Sequence, residues 1–238
     1  MFKKLGVGAL VLLLAACGAP RPRQAEPQTP EESASRAGSP PAGKVYRIDE
    51  TRSELRILVY RAGPLARFGH NHVVVNRSIR GTVNVADAAG AASEFRLDVP
   101  VADFVVDDAQ ARREEGADFA ADVPDDAKSG TLHNMLSAAL LDGDEFPMIT
   151  LSSVAVSASD DTSGAATFSA GVAISIAGHE STIEVPFTLE SDSRHLSATG
   201  SLVLRQSALG LVPYSLMLGA LQVQDAMTIK FEIVATTS

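Results

Sequence analysis

Phe68-Gly69-His70-Asn71-His72-Val73 is the stretch whose residue types could do chemistry, because two of the chain's five histidines stand one residue apart in it. Along an extended chain alternate side chains point the same way, so His70 and His72 could share one metal ion or meet one polar group. A zinc centre needs at least a third protein ligand, and His133 and His179 are candidates; aspartate and glutamate are too abundant to single out. A neutral imidazole also donates to an oxygen. Three roles therefore stand beside one another: hydrogen bonds that hold a loop to a rim, contact with the polar head of a ligand, and metal binding.

Other candidates are thin. The paired acids Asp107-Asp108, Glu114-Glu115 and Asp125-Asp126 fall in polar stretches and read as solvated faces. The sequence holds no Gly-x-Ser-x-Gly elbow, no Walker loop and no dinucleotide fingerprint. Arg205 ends an apolar alternation and reads either as an inward charge that pairs with Asp225 and meets a ligand's head, or as an outward salt bridge. The formal net charge is -9, and two units more acidic once Lys3 and Lys4 are removed with a leader. Phosphate binding needs clustered Lys and Arg, so nucleic acid is excluded as a partner.

The start of the chain, MFKKLGVGALVLLLAAC, has the layout of an export signal. Lys3 and Lys4 precede an apolar run, Leu5 to Leu14, that is too short to span a bilayer as a helix. Leu14-Ala15-Ala16-Cys17 then resembles the lipobox of bacterial lipoproteins, in which the cysteine is lipidated and becomes the new N-terminus. Gly18 in place of aspartate points to transfer to the outer membrane. The expectation is a protein held on the periplasmic face of the outer membrane through lipidated Cys17, the chain's single cysteine. Residues 18–43 carry Pro, Glu, Ser, Gln and Ala but no Val, Ile, Leu or aromatic residue, and read as a disordered tether. One domain, residues 44–238, remains.

In that domain the dominant signal has period two. Leu55, Ile57 and Val59 share one face, against Glu54 and Arg56 on the other. Val83 and Val85 alternate with Arg80, Thr82 and Asn84; Phe95, Leu97, Val99 and Val101 alternate with Glu94, Arg96 and Asp98. The pattern recurs through Ile149/Leu151, Phe168 to Ile176, Ile183 to Leu189, Leu196 to Leu204 and Met227 to Ile233. Turn residues at 89–90, 160–164, Gly178 and 191–193 separate the runs. About eight strands, each apolar on one face, suit an antiparallel sheet curled into a barrel; strands of a parallel α/β sheet would be apolar on both faces. The spacing predicts one helix over Thr131–Leu141, capped by Ser129 or Thr131, with a short turn at Arg112–Ala117.

A barrel of this size is filled by its own side chains or holds one small ligand. The inward residues are mostly Val, Ile, Leu and Ala, with single Phe residues at 95, 168, 187 and 231 and no Trp in the chain. Such a light lining leaves room for something narrow and apolar. The residues expected around it include Ile57, Val59, Phe68, Phe95, Leu97, Leu151 and Phe168, then Val172, Ile174, Val185, Phe187, Leu202 and Phe231. Leu209–Leu221 is an apolar loop that could lip the entrance or touch a bilayer.

Several segments in order across the domain resemble the YceI-like family of bacterial envelope proteins. They are Tyr46-Arg-Ile-Asp49 with Arg52-Ser53, Glu145-Phe146-Pro147-Met148-Ile149, Gly171 to Ile183, Arg205-Gln-Ser-Ala-Leu209-Gly210, and Asp225-Ala-Met-Thr-Ile229. Departures from the family pattern stand at Arg52 (often histidine), Ala208 (often aspartate) and Gly63 to His72 (a shorter G-x-F). The resemblance implies an all-β, lipocalin-like antiparallel barrel with a long hydrophobic cavity. It further implies a binding protein, without enzymatic activity or cofactor, for an isoprenoid-type lipid such as a quinone or polyprenyl chain. Head-group contacts are expected from His70, His72 and Arg205. The alternatives are a metal-binding protein or metal-dependent enzyme using His70 and His72, and a structural lipoprotein whose barrel is filled.

Overall fold

The alternating runs fold into one antiparallel sheet that closes on itself, in a computed structural model that describes residues 43–86, 93–158 and 167–237. The leader at 1–17 with Cys17, the tether up to residue 42, and the turns at 89–90 and 160–164 lie outside the described residues. Eleven of the twelve strand segments make eight complete strands, because the first three strands are each broken once. β1 (Lys44–Ile48) and β2 (Glu54–Ala62) lie end to end along one edge of the last strand, β12 (Leu221–Thr236). β3 (His72–Asn76) and β4 (Arg80–Val85) pair with β2 and β1. β5 (Ser93–Pro100) and β6 (Val105–Val106) pair with β4 and β3. β7 (Met148–Ala158), β8 (Thr167–Ile176), β9 (His179–Ser191) and β10 (His195–Arg205) follow in order, and β10 pairs with β12 along its whole length. A two-residue β11 (Ser215–Leu216) folds back on the start of β12.

The breaks are bridged by side chains. Between β1 and β2, Asp49 Oδ1 accepts from the Thr51 amide (3.1 Å) and hydroxyl (2.7 Å), a local turn that replaces the ladder. Buried Ser53 Oγ then donates to Val234 O and accepts from Val234 N, so β12 keeps its partner where the backbone pairing lapses. The weakest part of the wall is elsewhere. β9 and β10 pair only through Thr188–Ser191 and Leu196–Thr199. The run then meets Pro186, which has no N–H to give, and Gly200, against which the Phe231 ring is packed; a Cβ at 200 would stand 2.4 Å from that ring.

The segment between β6 and β7 differs from expectation. Its main helix, α2 (Asp125–Leu136), starts six residues before Thr131 and ends at Ser137. Pro124 fixes the extended entry, Asp125 and Asp126 sit in the first turn where the helix dipole favours acids, and Ser129 Oγ bonds back to Asp125 O instead of capping. Leu140 and Leu141 reach the core through a wrapped turn, in which Leu141 N bonds Met135 O and Gly143 N bonds Leu136 O. Ahead of it, α1 (Ala109–Glu114) is capped by Asp108, whose side chain accepts from Ala111 N; it replaces the turn expected at 112–117. Val101 leaves the strand to begin a 3₁₀ turn.

This excursion builds a second, smaller core outside the barrel wall. Leu58, Val73 and Val75 on the outer face of β2 and β3 pack under Ala111 and Phe119. Arg56 clamps the edge of that patch, reaching Glu115 (2.8 Å), Glu114 (2.9 Å) and Glu54 (2.6 Å), while Lys230 also meets Glu115. Burial would lower the guanidinium's proton affinity, but the three carboxylates outweigh it and raise it. Two of the acid pairs read as solvated are thus structural: Asp107, discussed below, and Glu115 are buried at their side chains.

The β8–β9 hairpin turns on Ala177-Gly178, both with positive φ (48° and 76°). That is the geometry for which Asn-Gly is preferred, and alanine is held there against its Cβ. Ala177→Asn is expected to stabilise the protein by about 0.5–1 kcal/mol, read as a higher midpoint in urea with unchanged slope.

Candidate functional site

The inner face of the barrel does not meet in the middle. Its rows of Val, Ile and Leu, thinned by Ala170 and Ala198, surround a cavity of about 670 Å³, inside the size range of small-molecule pockets. The cavity extends from Val85, Leu189, Leu196 and Ala235 at one end to Phe68, Leu216 and Gln222 at the other. At the first end, where β1 enters the sheet, Tyr46 packs on Leu196 and Ala235. The second end is the mouth, ringed by the β2–β3 loop, α2 and the loop between β10 and β12. Ile57, Val59, Phe95, Leu97, Leu151, Val172, Ile174, Val185, Phe187, Leu202 and Phe231 all line the void, with Phe68 at its lip. Phe168 does not; it is buried and stacked on Phe187 at 5.5 Å.

The histidine pair lies at the mouth. β3 begins at His72, whose side chain shares the inward face with Val74, and both line the cavity with His70. The two rings meet edge to face, centroids 6.2 Å apart. Asn71 points away from them and pins the loop: its Oδ1 accepts from Arg61 N (3.0 Å) and its Nδ2 donates to Asp118 O (3.1 Å). Behind the pair is a buried ionic network that sequence reasoning missed. His72 Nδ1 donates to Asp107 Oδ2 at 2.6 Å, and Asp107 Oδ1 accepts from Val73 N (3.0 Å) and Arg112 Nη1 (2.5 Å). Arg112, also buried, donates to Asn71 O and Ala121 O at 2.8 Å. Asp107 takes a left-handed φ of 58°, which aspartate tolerates better than most residues and which turns its carboxylate into the sheet.

This arrangement has a definite chemical capacity. With Nδ1 tied to a buried carboxylate, the orientation of the His72 ring is fixed, and Nε2 is left to accept or donate one hydrogen bond at the cavity mouth. Arg61, Thr131, Asn134, Gln206, Tyr214 and Gln222 add polar atoms to the same end, Ser93 lies opposite Val85 at the other end, and the stretch between is lined by apolar side chains. The sequence signal for them is faint, since each is a lone polar residue in a loop, in a helix or near the end of a strand, as Gln222 is in β12. Arg205, expected near a ligand's head, points outward instead: its exposed side chain reaches Asp225 at 3.5 Å, because residue 205 falls opposite in the alternation to Leu202 and Leu204. Among the described residues no three His, Cys, Asp or Glu side chains converge as a metal site, so the third ligand a zinc centre would need beside His70 and His72 is lacking there.

Burial alone would push the Asp107 carboxyl up, but hydrogen bonds from His72, the Val73 amide and Arg112 hold it below the usual carboxylate range. Its contribution to stability is therefore complete above the unfolded value, about 3.9, and is lost as pH falls through the lower folded value. Asp107→Asn should flatten that part of the acid-unfolding profile. It should also cost about 3–5 kcal/mol at neutral pH, because Arg112 is left buried without its counter-charge. Arg112→Met combined with Asp107→Asn should cost less than the sum of the two, measured by urea denaturation.

No curated protein sequence matches the chain. Among solved structures, the fold is similar to that of BcnA from Burkholderia cenocepacia, with a TM-score of 0.57 at 17% identity, covering 79% of this chain and 99% of that one. It is also similar to a polyisoprenoid-binding domain from Saccharophagus degradans implicated in plant cell wall breakdown, with a TM-score of 0.52 at 10% identity, covering 81% and 98%. The model of the YceI-like domain matches residues 46–235, which run from the buried tyrosine of β1 to the end of β12, and the chain belongs to that family.

Proposed function

We propose that the barrel binds an amphiphilic isoprenoid-type lipid, a quinone or polyprenyl chain, with the tail along the cavity and the head at the mouth beside His70 and His72. The observation that carries this reading is an apolar cavity whose polar side chains, Ser93 apart, gather at one end. The eleven residues of β10, tilted as barrel strands are, give a wall roughly 25–30 Å long, a length suited to a slender hydrocarbon and not to a compact solute. Polyisoprenoid binding by the similar domain from Saccharophagus degradans lends support by analogy of fold. His72, its Nδ1–H held by Asp107, would present Nε2 to the head: the neutral ring accepts there from a hydroxyl, and only the protonated ring donates to a carbonyl or phosphate oxygen. The sequence features at Cys17 and Gly18 support anchoring through a lipidated cysteine to the periplasmic face of the outer membrane. The reading is of a holder or carrier, with binding and not bond-making as its chemistry.

Three measurements test it. Organic extraction of the purified protein, followed by mass spectrometry, should yield a stoichiometric isoprenoid-type lipid; an empty cavity that also ignores added quinones would overturn the reading. Ala198→Phe, which grows into the void, should lower lipid content at least tenfold while changing stability by less than about 1.5 kcal/mol. His72→Ala should weaken binding of a quinol, whose hydroxyl can donate to Nε2, about three- to tenfold, the worth of one hydrogen bond, and leave binding of a headless hydrocarbon unchanged. Separately, Cys17→Ser should remove acyl-lipid incorporation, followed by labelled palmitate.

A further inference from the structure

The mouth of the barrel carries an apolar tip that its own fold leaves in water. Leu218 is fully exposed, at 108% of its reference area, with Met217 at 73% and Phe68 at 65%. Leu216 and Leu221 continue the patch into the cavity. The two loops involved are joined: Leu65 N donates to Ala220 O at 2.8 Å, and Gly69 packs against Leu221. Met217, Leu218 and Gly219 all take positive φ (50°, 56° and 90°). A left-handed conformation costs roughly 1–2 kcal/mol for each non-glycine residue, and a bulky side chain held in it marks a functional site more often than a structural one. Here the strain holds a leucine outward and gains no burial for it.

Charge identifies the occupant. In a chain of net charge -9, residues 206–224 contain no charged side chain, and residues 61–72 contain Arg61 and Arg67 and no acid. Exposed Arg67 lies over the Phe68 ring at 4.5 Å, and Arg61 donates to Gly69 O, so both cations flank the apolar tip. Acids at this end stand beside the tip and not in it: Asp118 and Asp125 belong to the segment between β6 and β7, and Asp225 accepts from the Ser207 amide and hydroxyl and pairs with Arg205 at 3.5 Å. Hydrophobic side chains ringed by arginine are the composition of a bilayer interface, with the cations at phosphate level. The chain enters the barrel at the far end, at Lys44, yet residues 18–43 can extend at most about 90 Å, several times the barrel's length.

We propose that Phe68, Leu216, Met217 and Leu218 dock the mouth into the surface of an anionic lipid bilayer, so that a lipid passes between membrane and cavity without crossing water. The proposal rests on the reading of the cavity as a lipid site. Its test uses the absence of tryptophan from the chain. Leu218→Trp gives a single reporter at the tip, and Val203→Trp gives one on the outer wall, where Val203 is 71% exposed. The barrel unit, residues 41–238, which has its own closed core, is mixed with phosphatidylethanolamine vesicles with and without phosphatidylglycerol. Tip fluorescence should shift to the blue and be quenched by brominated acyl chains in the anionic vesicles, while the wall reporter stays unchanged. Phe68→Ser should lower vesicle binding roughly tenfold, from the lost burial of one large side chain. Arg67→Gln should remove about a fivefold preference for anionic lipid. A tip that stays in water, equal quenching at both positions, or a blue shift without vesicles that grows with protein concentration would each overturn the proposal. Lipid recovered on extraction with a tip that stays in water would leave the carrier reading standing; an embedded tip on a barrel that yields no lipid would leave the docking standing alone.

Discussion

Closure of the sheet is the constraint on which the rest depends. Once eight antiparallel strands pair around to the first, their tilt and stagger fix the interior width, and the inward side chains only decide how much of it is filled. Here β12 closes the circle through β1 and β2, and the wall is held in the round although β9 and β10 part beyond Thr188 and Thr199. Residues of modest size at Ala170, Val172 and Ala198 then leave an opening that the wall cannot collapse around. In an open two-layer sandwich the same residues could draw the sheets together. In a barrel they leave a cavity.

The hydrogen-bond network behind the mouth follows from that geometry. A hollow barrel offers few inner contacts with which to hold a polar side chain in place, so His72 is positioned from behind the wall. Asp107 sits one residue beyond β6, where its amide still bonds Val73 O and its side chain reaches both the imidazole and Arg112. Arg112 in turn ties α1 to the carbonyls of Asn71 and Ala121. One buried ion pair thus fixes the loop after β6, the His70–His72 segment and the excursion over β2 and β3. Replacing it by apolar residues could preserve packing, yet it would free the orientation of the ring.

The strands were legible in the sequence wherever one face meets the cavity and the other meets water, and they faded where that contrast disappears. β3 is the instructive case: His72-Val-Val-Val-Asn76 has Val74 inside the barrel and Val73 and Val75 under α1 and Phe119, so both faces are covered and no alternation remains. The helix was displaced for a related reason. Leu132, Met135, Leu136 and Leu140 share a side because a helix and a wrapped turn deliver them in succession, which spacing alone cannot separate from one longer helix. For the site, strand parity puts the apolar residues on the inner face, Phe168 included; Phe168 is kept from the void by its stacking on Phe187, which parity does not show. The importance of Asp107 was invisible because an aspartate pair in a polar stretch has the same composition whether solvated or buried. Arg205 shows the converse, where parity placed the side chain outward and an expected contact had been allowed to override it.

The main core is the inner wall, from Val74 and Ile79 to Ile174 and Met227, and packing outside adds to it. That addition consists of the Leu58–Val73–Phe119 core, the Arg56–Glu115–Lys230 cluster and the continuous pairing of β10 with β12. These features concentrate on the β2, β3 and β12 side of the wall. The opposite arrangement holds at the β9–β10 seam, where pairing stops at Pro186 and Gly200 and only the turn at Gln206–Leu209, with Gly210 against the His179 ring, crosses it near the mouth. Pairing and packing are thus dense behind His72 and sparse across from it, because Pro186 has no N–H to give and the Phe231 ring lies over Gly200.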